Sequence, residues 1–371
     1  MKERLKEKLR TLTSLIGVSG SEHQVIAYCR DQLKPLADEV TVLPCGDVIA
    51  KFDSKKPGPS MMIAAHADEI GFHIRSISKD GFIYFGVYGG VQLKTVLASR
   101  VLFNGSKGVV KGVVGLTPGH IPPPEMQSKV PPMDECYIDV GATSAEEVYE
   151  MGLEVGSTGV VESPLTELNK PDLVTGRCID DRAGCAALIE LAEAIKAGKI
   201  QFEGTIYIVI TVQEETGLLG AIHASEYVKP DCFIAVDTAP CGGTPDVPER
   251  KLPTKMGGGP IITVGDMTSP VARIFPNWGL LTFAKKYAAE NGIPLQRVPA
   301  PGAGNNDAGA VNYVGSHCPA IALVMPRRYS HSASEVMDLN DLVYEYRLLE
   351  GMIKNNGKFS TGYFAGCPEL E

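Results

Sequence analysis

The chain has 371 residues, with 35 Lys and Arg against 44 Asp and Glu, for a formal net charge of −9. Hydrophobic residues make up 44% and charged residues 21%, apolar enough to bury a sizeable core and too apolar for intrinsic disorder. The acidic balance, with no Lys/Arg run, argues against a dedicated nucleic-acid binder, which needs a basic face to displace counterions from phosphates.

The opening MKERLKEKLRTLTSLIG has the pattern of an amphipathic helix rather than of a basic-then-apolar leader. No apolar run approaches the roughly 18 residues that span a bilayer, so the expectation is a cytoplasmic protein without a membrane partner. MMIAAH (61–66) is a short continuous apolar run, as expected of a strand buried on both faces.

From about Gly81 to Pro171 glycine and proline thicken, and the chain turns β-rich. Asp80-Gly81 and Asn104-Gly105 lie between Val/Ile/Phe-rich runs, the signal of tight hairpin turns. One helical stretch, TSAEEVYEMG, opens on a capping Thr143 or Ser144. These signals predict a small β-barrel-like module at about 71–168.

Beyond it, TIYIVITV (205–212), CFIAVD (232–237) and AIALVM (320–325) are again buried-strand runs, separated by helical patterns at 183–197, 278–291 and 340–355. Alternating strand and helix implies a mainly parallel sheet with helices on both faces. Sheet-forming segments occur on both sides of the β-rich module. It therefore reads as an insertion, with 1–70 and 169–371 forming one α/β domain around 71–168.

Chemistry-bearing residues stand at the strand ends: His66-Ala67-Asp68-Glu69, Glu214-Glu215, Asp237, and His331 after AIALVMPRRYS. In an open α/β sheet, ligands bind at the carboxyl ends of the strands. Two histidines and several carboxylates meeting there suggest a metal site. Asp180-Asp181, ahead of the helix at 183–197, adds an acid to the crevice while its neighbour can cap the helix. The pool is His66, Asp180, Glu215, Asp237 and His331, with Glu214 beside it.

Imidazole and carboxylate donors suit Zn²⁺, Co²⁺ or Mn²⁺. Five ligands exceed one tetrahedral catalytic ion but serve two if a carboxylate bridges. Singly, each residue also has an ordinary reading: a solvated loop start, a packed histidine, a helix cap. It is their joint occurrence at corresponding strand ends that points to metal. His23, His73, His120, His223 and His317 read as packed or surface histidines. The nine scattered cysteines contain no C-x-x-C, so neither a disulfide framework nor a thiolate zinc site is suggested.

The segments AHADEIGF (65–72), GRCIDDRAG (176–184), VQEETGLLGA (212–221), AVDTAP (235–240) and RRYSHSASE (327–335), in this order and separation, resemble the M42 family of dinuclear metalloaminopeptidases, the TET and glutamyl-aminopeptidase relatives. The resemblance covers nearly the whole chain. It implies a three-layer zinc-exopeptidase-like fold with an inserted PDZ-like dimerisation module, and a homo-oligomer, either a dimer or a dodecamer. It further implies two divalent ions per subunit, Zn²⁺ or Co²⁺: one held by His66, Asp180 and Asp237, the other by Asp180, Glu215 and His331. Asp68 would orient His66, Glu214 would be the general base, and the Asp180–Asp181 bond would be cis.

One departure is Asn306 in Gly304-Asn305-Asn306-Asp307, where the family usually has Thr; it bears on substrate preference. Asp307 could serve merely as a turn former. The implied reaction is removal of N-terminal residues from short peptides by a metal-activated water. The rival readings are a dinuclear deacylase or carboxypeptidase, a glycosidase of the endoglucanase label, and a non-catalytic assembly homologue. A glycosidase needs two carboxyls flanking one bond, which adjacent Glu214 and Glu215 fit poorly. No phosphate-binding loop, H-E-x-x-H or G-x-S-x-G motif occurs.

Overall fold

The computed structural model of the chain describes residues 1–121, 129–265, 275–299, 306–362 and 364–365. Helices α1 (Lys2–Ser14) and α2 (His23–Leu33) precede β1 (Glu39–Val42), β2 (Val48–Asp53) and β3 (Ser60–His66). Next come β4 (Gly71–Ile77), β5 (Ile83–Tyr88), β6 (Arg100–Gly105), β7 (Gly108–Val114), β8 (Tyr137–Asp139), α3 (Ala145–Glu150) and β9 (Thr158–Val161). The chain continues through β10 (Thr166–Glu167), β11 (Leu173–Gly176), α4 (Ile179–Lys196), β12 (Thr205–Thr211), α5 (Leu219–Val228) and β13 (Cys232–Pro240). It ends with β14 (Ile261–Thr263), α6 (Trp278–Glu290), β15 (Gln296–Val298), α7 (Asp307–Tyr313), β16 (Ala320–Arg328), β17 (Glu335–Asp338) and α8 (Leu339–Lys354).

The main sheet runs β1-β2-β12-β3-β13-β16-β17-β11-β10, with β14 and β15 joined through β16. Its centre, β12-β3-β13-β16, is parallel and consists of the four continuous apolar runs. The expected parallel character holds in this centre and in the β14–β15 pair. The two wings, β2 and β17 with their outer neighbours, pair antiparallel, as short connections such as that between β1 and β2 permit.

The period-two alternation of strand side chains explains the continuous hydrophobicity. Met61, Ile63 and Ala65 of β3 pack into one core with Leu5, Leu9, Leu188, Leu280 and Leu349 from α1, α4, α6 and α8. Met62 and Ala64 face the other core, with Phe233, Ala221, Ala224 and Val311, the last three from α5 and α7. Both faces are therefore dry.

Strands β4-β5-β8-β7-β6-β9 close into a barrel around Phe72, Ile74, Ile83, Phe85, Val101, Phe103 and Ile138. The reversal expected at Asn104-Gly105 lies two residues on. Gly105 and Gly108 face each other across Ser106-Lys107, and Gly108, at φ 127, supplies a backbone conformation that side chains disfavour. The α3 cap is Ser144, whose Oγ accepts the Glu147 amide at 3.3 Å. Among the described residues, no helix is long and apolar enough to cross a membrane.

Candidate metal centre

His66 is the last residue of β3, 2% exposed, and its Nε2 stands 3.3 Å from Asp180 Oδ1 and 3.8 Å from Asp237 Oδ1. On the far side of Asp180, His331 Nε2 lies 3.4 Å from Oδ2 and 3.5 Å from Glu215 Oε2. Two groups result, His66-Asp180-Asp237 and Asp180-Glu215-His331, each with ligand atoms within 4.8 Å of one another and with Asp180 common to both.

Local folding places each donor. The Asp180–Asp181 peptide is cis, and both residues depart from helical geometry at the start of α4. Asp181 Oδ1 accepts the Gly184 amide at 3.0 Å and so caps the helix, which leaves Asp180 to face the histidines. Arg182 turns away to Glu69 Oε1 at 3.1 Å.

Glu214 and Glu215 do not diverge along a strand as the alternation rule suggests. β12 ends at Thr211, and Gln213, at φ 58, turns the chain so that the amides of Glu214 and Glu215 both point at the Asp68 carboxylate, at 3.0 and 3.1 Å. Asp237 sits inside β13, which runs three residues further than the apolar signal, to Pro240. His331 follows β16 in a left-handed conformation, at φ 56.

The electrostatics are those of acids and imidazoles forced together out of water. Burial alone lowers the His66 imidazole, but Asp180, Asp237 and Asp68 raise it well above its usual value. His331 is raised in the same way, against its own burial, by Asp180 and Glu215. Burial pushes Glu215 up to about 7 and Asp237 to about 6, with Asp180 adding its charge to both. Burial also raises Glu214 well above the carboxylate range, opposed by His66 and reinforced by Asp237 and Glu215. Asp180 is the exception. Burial would raise it, yet the Arg327 guanidinium and the two histidines hold it well below the usual range.

Arg327 was not singled out from the sequence. It is 2% exposed, pairs with Asp180 and Glu335, and donates from Nε to Thr238 Oγ1. That hydroxyl in turn donates to Asp180 Oδ1 at 2.9 Å. Glu335 accepts the Asp180 amide at 3.2 Å and the His331 amide at 3.0 Å, so it braces the shared aspartate together with His331. The available signal was an arginine directly after a run as apolar as AIALVMP, since a buried guanidinium requires acid partners.

Asp307, buried at the head of α7, accepts from Thr211 Oγ1 at 2.9 Å, and burial pushes it up to about 7. Asn306 is spent on the cap of that helix, its Oδ1 accepting the Ala308 amide at 3.0 Å. Gly304 and Asn305 of the departing loop lie outside the described residues.

A small pocket lies between the barrel and the centre. Phe72, Val96 and Val161 line its barrel side, and Asp180, Glu215 and His331 the side of the candidate centre. An apolar wall thus faces the cluster of carboxylates and imidazoles.

The family model for M42 glutamyl aminopeptidase matches residues 46–348. A lysyl aminopeptidase of Pyrococcus furiosus is 35% identical over 351 residues, covering 94% of this chain and 96% of its own. The structure of a TET aminopeptidase from a marine sediment archaeon of the Thaumarchaeota superposes with a TM-score of 0.88 at 34% identity, over 95% of this chain and 96% of that one. The Pyrococcus horikoshii TET1 peptidase, described as able to assemble into a tetrahedron or a large octahedral shell, superposes with a TM-score of 0.81 at 31% identity, over 94% and 99%. The chain belongs to the M42 peptidase family and is an aminopeptidase, a hydrolase of peptide bonds.

Proposed function

We propose that this M42 aminopeptidase removes N-terminal residues from short peptides at a two-ion centre. His66, Asp180 and Asp237 would hold one ion, and Asp180, Glu215 and His331 the other. The observation that carries this reading is the sharing of Asp180 by two three-residue groups. The donor set fits: imidazole nitrogens and carboxylate oxygens without sulfur match Zn²⁺ or Co²⁺ in a hydrolytic role. Such a pair, when bound, lowers the pKa of water and polarises the scissile carbonyl.

The protein's own groups do the rest. Glu214, kept off the ligand set by the turn at Gln213, would take the proton of the attacking water and return it to the leaving amine. Asp68 would hold His66 in orientation through Nδ1, which lies 3.2 Å from the Asp68 main-chain oxygen and 3.5 Å from its Oδ1, and its carboxylate would fix the Glu214-Glu215 turn by accepting both amides. The apolar barrel wall of the pocket would seat the first side chain.

Residues 1–70 and 169–371 would form the catalytic domain and 71–168 the dimerisation module of a homo-oligomer, a dimer or a dodecamer built from dimers. The assemblies of the TET1 relative support this reading. A cytoplasmic place of action belongs to the same proposal.

Metal content by elemental analysis tests the centre. Asp180→Ala is expected to lose two ions per subunit relative to the native chain, and His331→Ala, whose side chain is 32% exposed, to lose one. Unchanged metal content in both variants would remove the two-ion reading.

A further inference from the structure

A second constellation of metal-binding side chains lies outside the centre. Cys45 Sγ, the Asp47 carboxylate and a ring nitrogen of His223 all lie within 4.8 Å of one another. Cys45 and Asp47 flank Gly46 in the turn between β1 and β2, where Gly46 at φ 119 reverses the chain and brings both side chains to one side. His223 comes from α5, the helix that follows the Glu214-Glu215 turn.

Asp47 is fully buried. Its Oδ1 accepts the Val212 amide at 3.1 Å and its Oδ2 accepts the Cys45 thiol at 3.2 Å. Burial pushes its carboxyl up to about 6, against the lowering effects of the thiol, the amide and the His223 ring. A carboxylate taken wholly out of water and served by a thiol on one side is costly unless a cation compensates it. A cation that replaced the thiol proton would compensate it directly.

We propose that Cys45, Asp47 and His223 form a third divalent-cation site, selective for a zinc-type ion. Thiolate, imidazole and carboxylate together favour a borderline-soft ion over Mg²⁺ or Ca²⁺. Around a tetrahedral ion with bonds of roughly 2.0–2.3 Å, donor atoms stand about 3.2–3.8 Å apart. The Cys45–Asp47 pair already has that spacing, and the exposed His223 ring has the freedom to close the remainder. On binding, bonds form from Sγ, Oδ2 and the ring nitrogen to the ion, and the thiol proton leaves to solvent. Nothing is oxidised or reduced. Three protein donors leave one coordination position for water on the open, His223 side.

The site would brace the catalytic turn. Asp47 Oδ1 keeps the Val212 amide whether or not Oδ2 binds an ion, and Val212 leads directly into Gln213, Glu214 and Glu215. The ion would tie the β1–β2 turn, the exit of β12 and α5 into one unit, fixing both ends of the segment that carries the two glutamates.

Cobalt spectroscopy on the full chain tests this independently of the two-ion centre, whose donors include no sulfur. The stripped native protein and the Cys45→Ser, His223→Ala and Asp180→Ala variants are each loaded with Co²⁺, and the near-ultraviolet thiolate-to-cobalt charge-transfer band and the bound metal are measured. The site predicts a band in the native protein that survives Asp180→Ala, disappears in Cys45→Ser and weakens in His223→Ala, with one ion per subunit lost in Cys45→Ser. His223→Ala changes an exposed side chain and keeps the test valid if Cys45→Ser fails to fold. No band in the native protein, a band that persists in Cys45→Ser, or a band unaffected by His223→Ala would overturn the proposal.

Discussion

The Asp68 carboxylate accepts the Glu215 backbone amide at 3.1 Å while accepting that of Glu214 at 3.0 Å through its other oxygen. One buried side chain therefore sets the turn that presents both glutamates, and the same side chain stands beside His66 Nδ1. Asp68→Asn replaces one acceptor with an amino group that faces an N–H. The expected outcome is a roughly 10–100-fold loss of metal affinity or activity in a folded protein, read by metal titration alongside thermal unfolding. Undiminished metal affinity and activity would show that Asp68 does not position the site.

Glu214 is the proposed proton carrier and lies in neither ligand group. Glu214→Gln is expected to keep the native metal content and to lower turnover by about 10²–10⁴-fold. Elemental analysis paired with single-substrate kinetics checks both halves of the expectation. Retained turnover would assign the base elsewhere, with Asp307 as the next buried acid to examine.

Arg327 lies between Asp180 and Glu335, so its removal leaves two buried acids without their common partner. Arg327→Met is expected to destabilise the chelated protein by about 3–5 kcal/mol. Zn²⁺ should restore part of the loss, because the ion offsets the charge of Asp180. Denaturant unfolding with and without metal measures this; an equal loss in both conditions would show that Arg327 serves packing alone.

Glu345, in α8, is fully buried, and neither carboxyl oxygen has a hydrogen-bond partner. Burial, with Asp237 and Asp341 adding to it, raises its carboxyl well above the usual range. The folded state therefore keeps a proton that the unfolded chain releases above about pH 4.3, and stability falls as pH rises from there toward the raised value. Glu345→Gln removes this loss. Its unfolding free energy should exceed that of the native protein by an amount that grows as pH rises above about 5, with a slope of at most about 1.4 kcal/mol per pH unit. A pH-independent difference would contradict the assignment.

The parts of the fold that were legible in the sequence follow one rule. Strands buried on both faces read as unbroken apolar runs, so β3, β12, β13 and β16 stood out, together with the insertion of a turn-rich β module between them. The antiparallel wings did not, because β1, β10 and β17 are short and β1 and β10 lack full burial. At the candidate centre, the histidines and acids that the structure brings together stood out in the sequence by residue type and by their place at the ends of apolar runs. The Glu214-Glu215 geometry did not, because it depends on the left-handed Gln213 and on Asp68 reaching across from another strand. Arg327 and Glu335 escaped for a similar reason: their role lies in a three-way contact with Asp180 that sequence separation conceals. His223, read from the sequence as a packed or surface histidine, gains its significance only from the turn that brings Cys45 and Asp47 to α5.

The central claim is that the shared-aspartate centre cleaves peptides from a free amino end. A panel of peptides, each with a free and an N-acetylated amino terminus, incubated with Zn²⁺- or Co²⁺-loaded protein and with a chelated control, and followed by mass spectrometry, tests it most directly. The account predicts stepwise loss of N-terminal residues from the free-amine peptides alone, abolished by chelation and restored by metal. Cleavage of the acetylated peptides at equal rate, or cleavage that survives chelation, would contradict it.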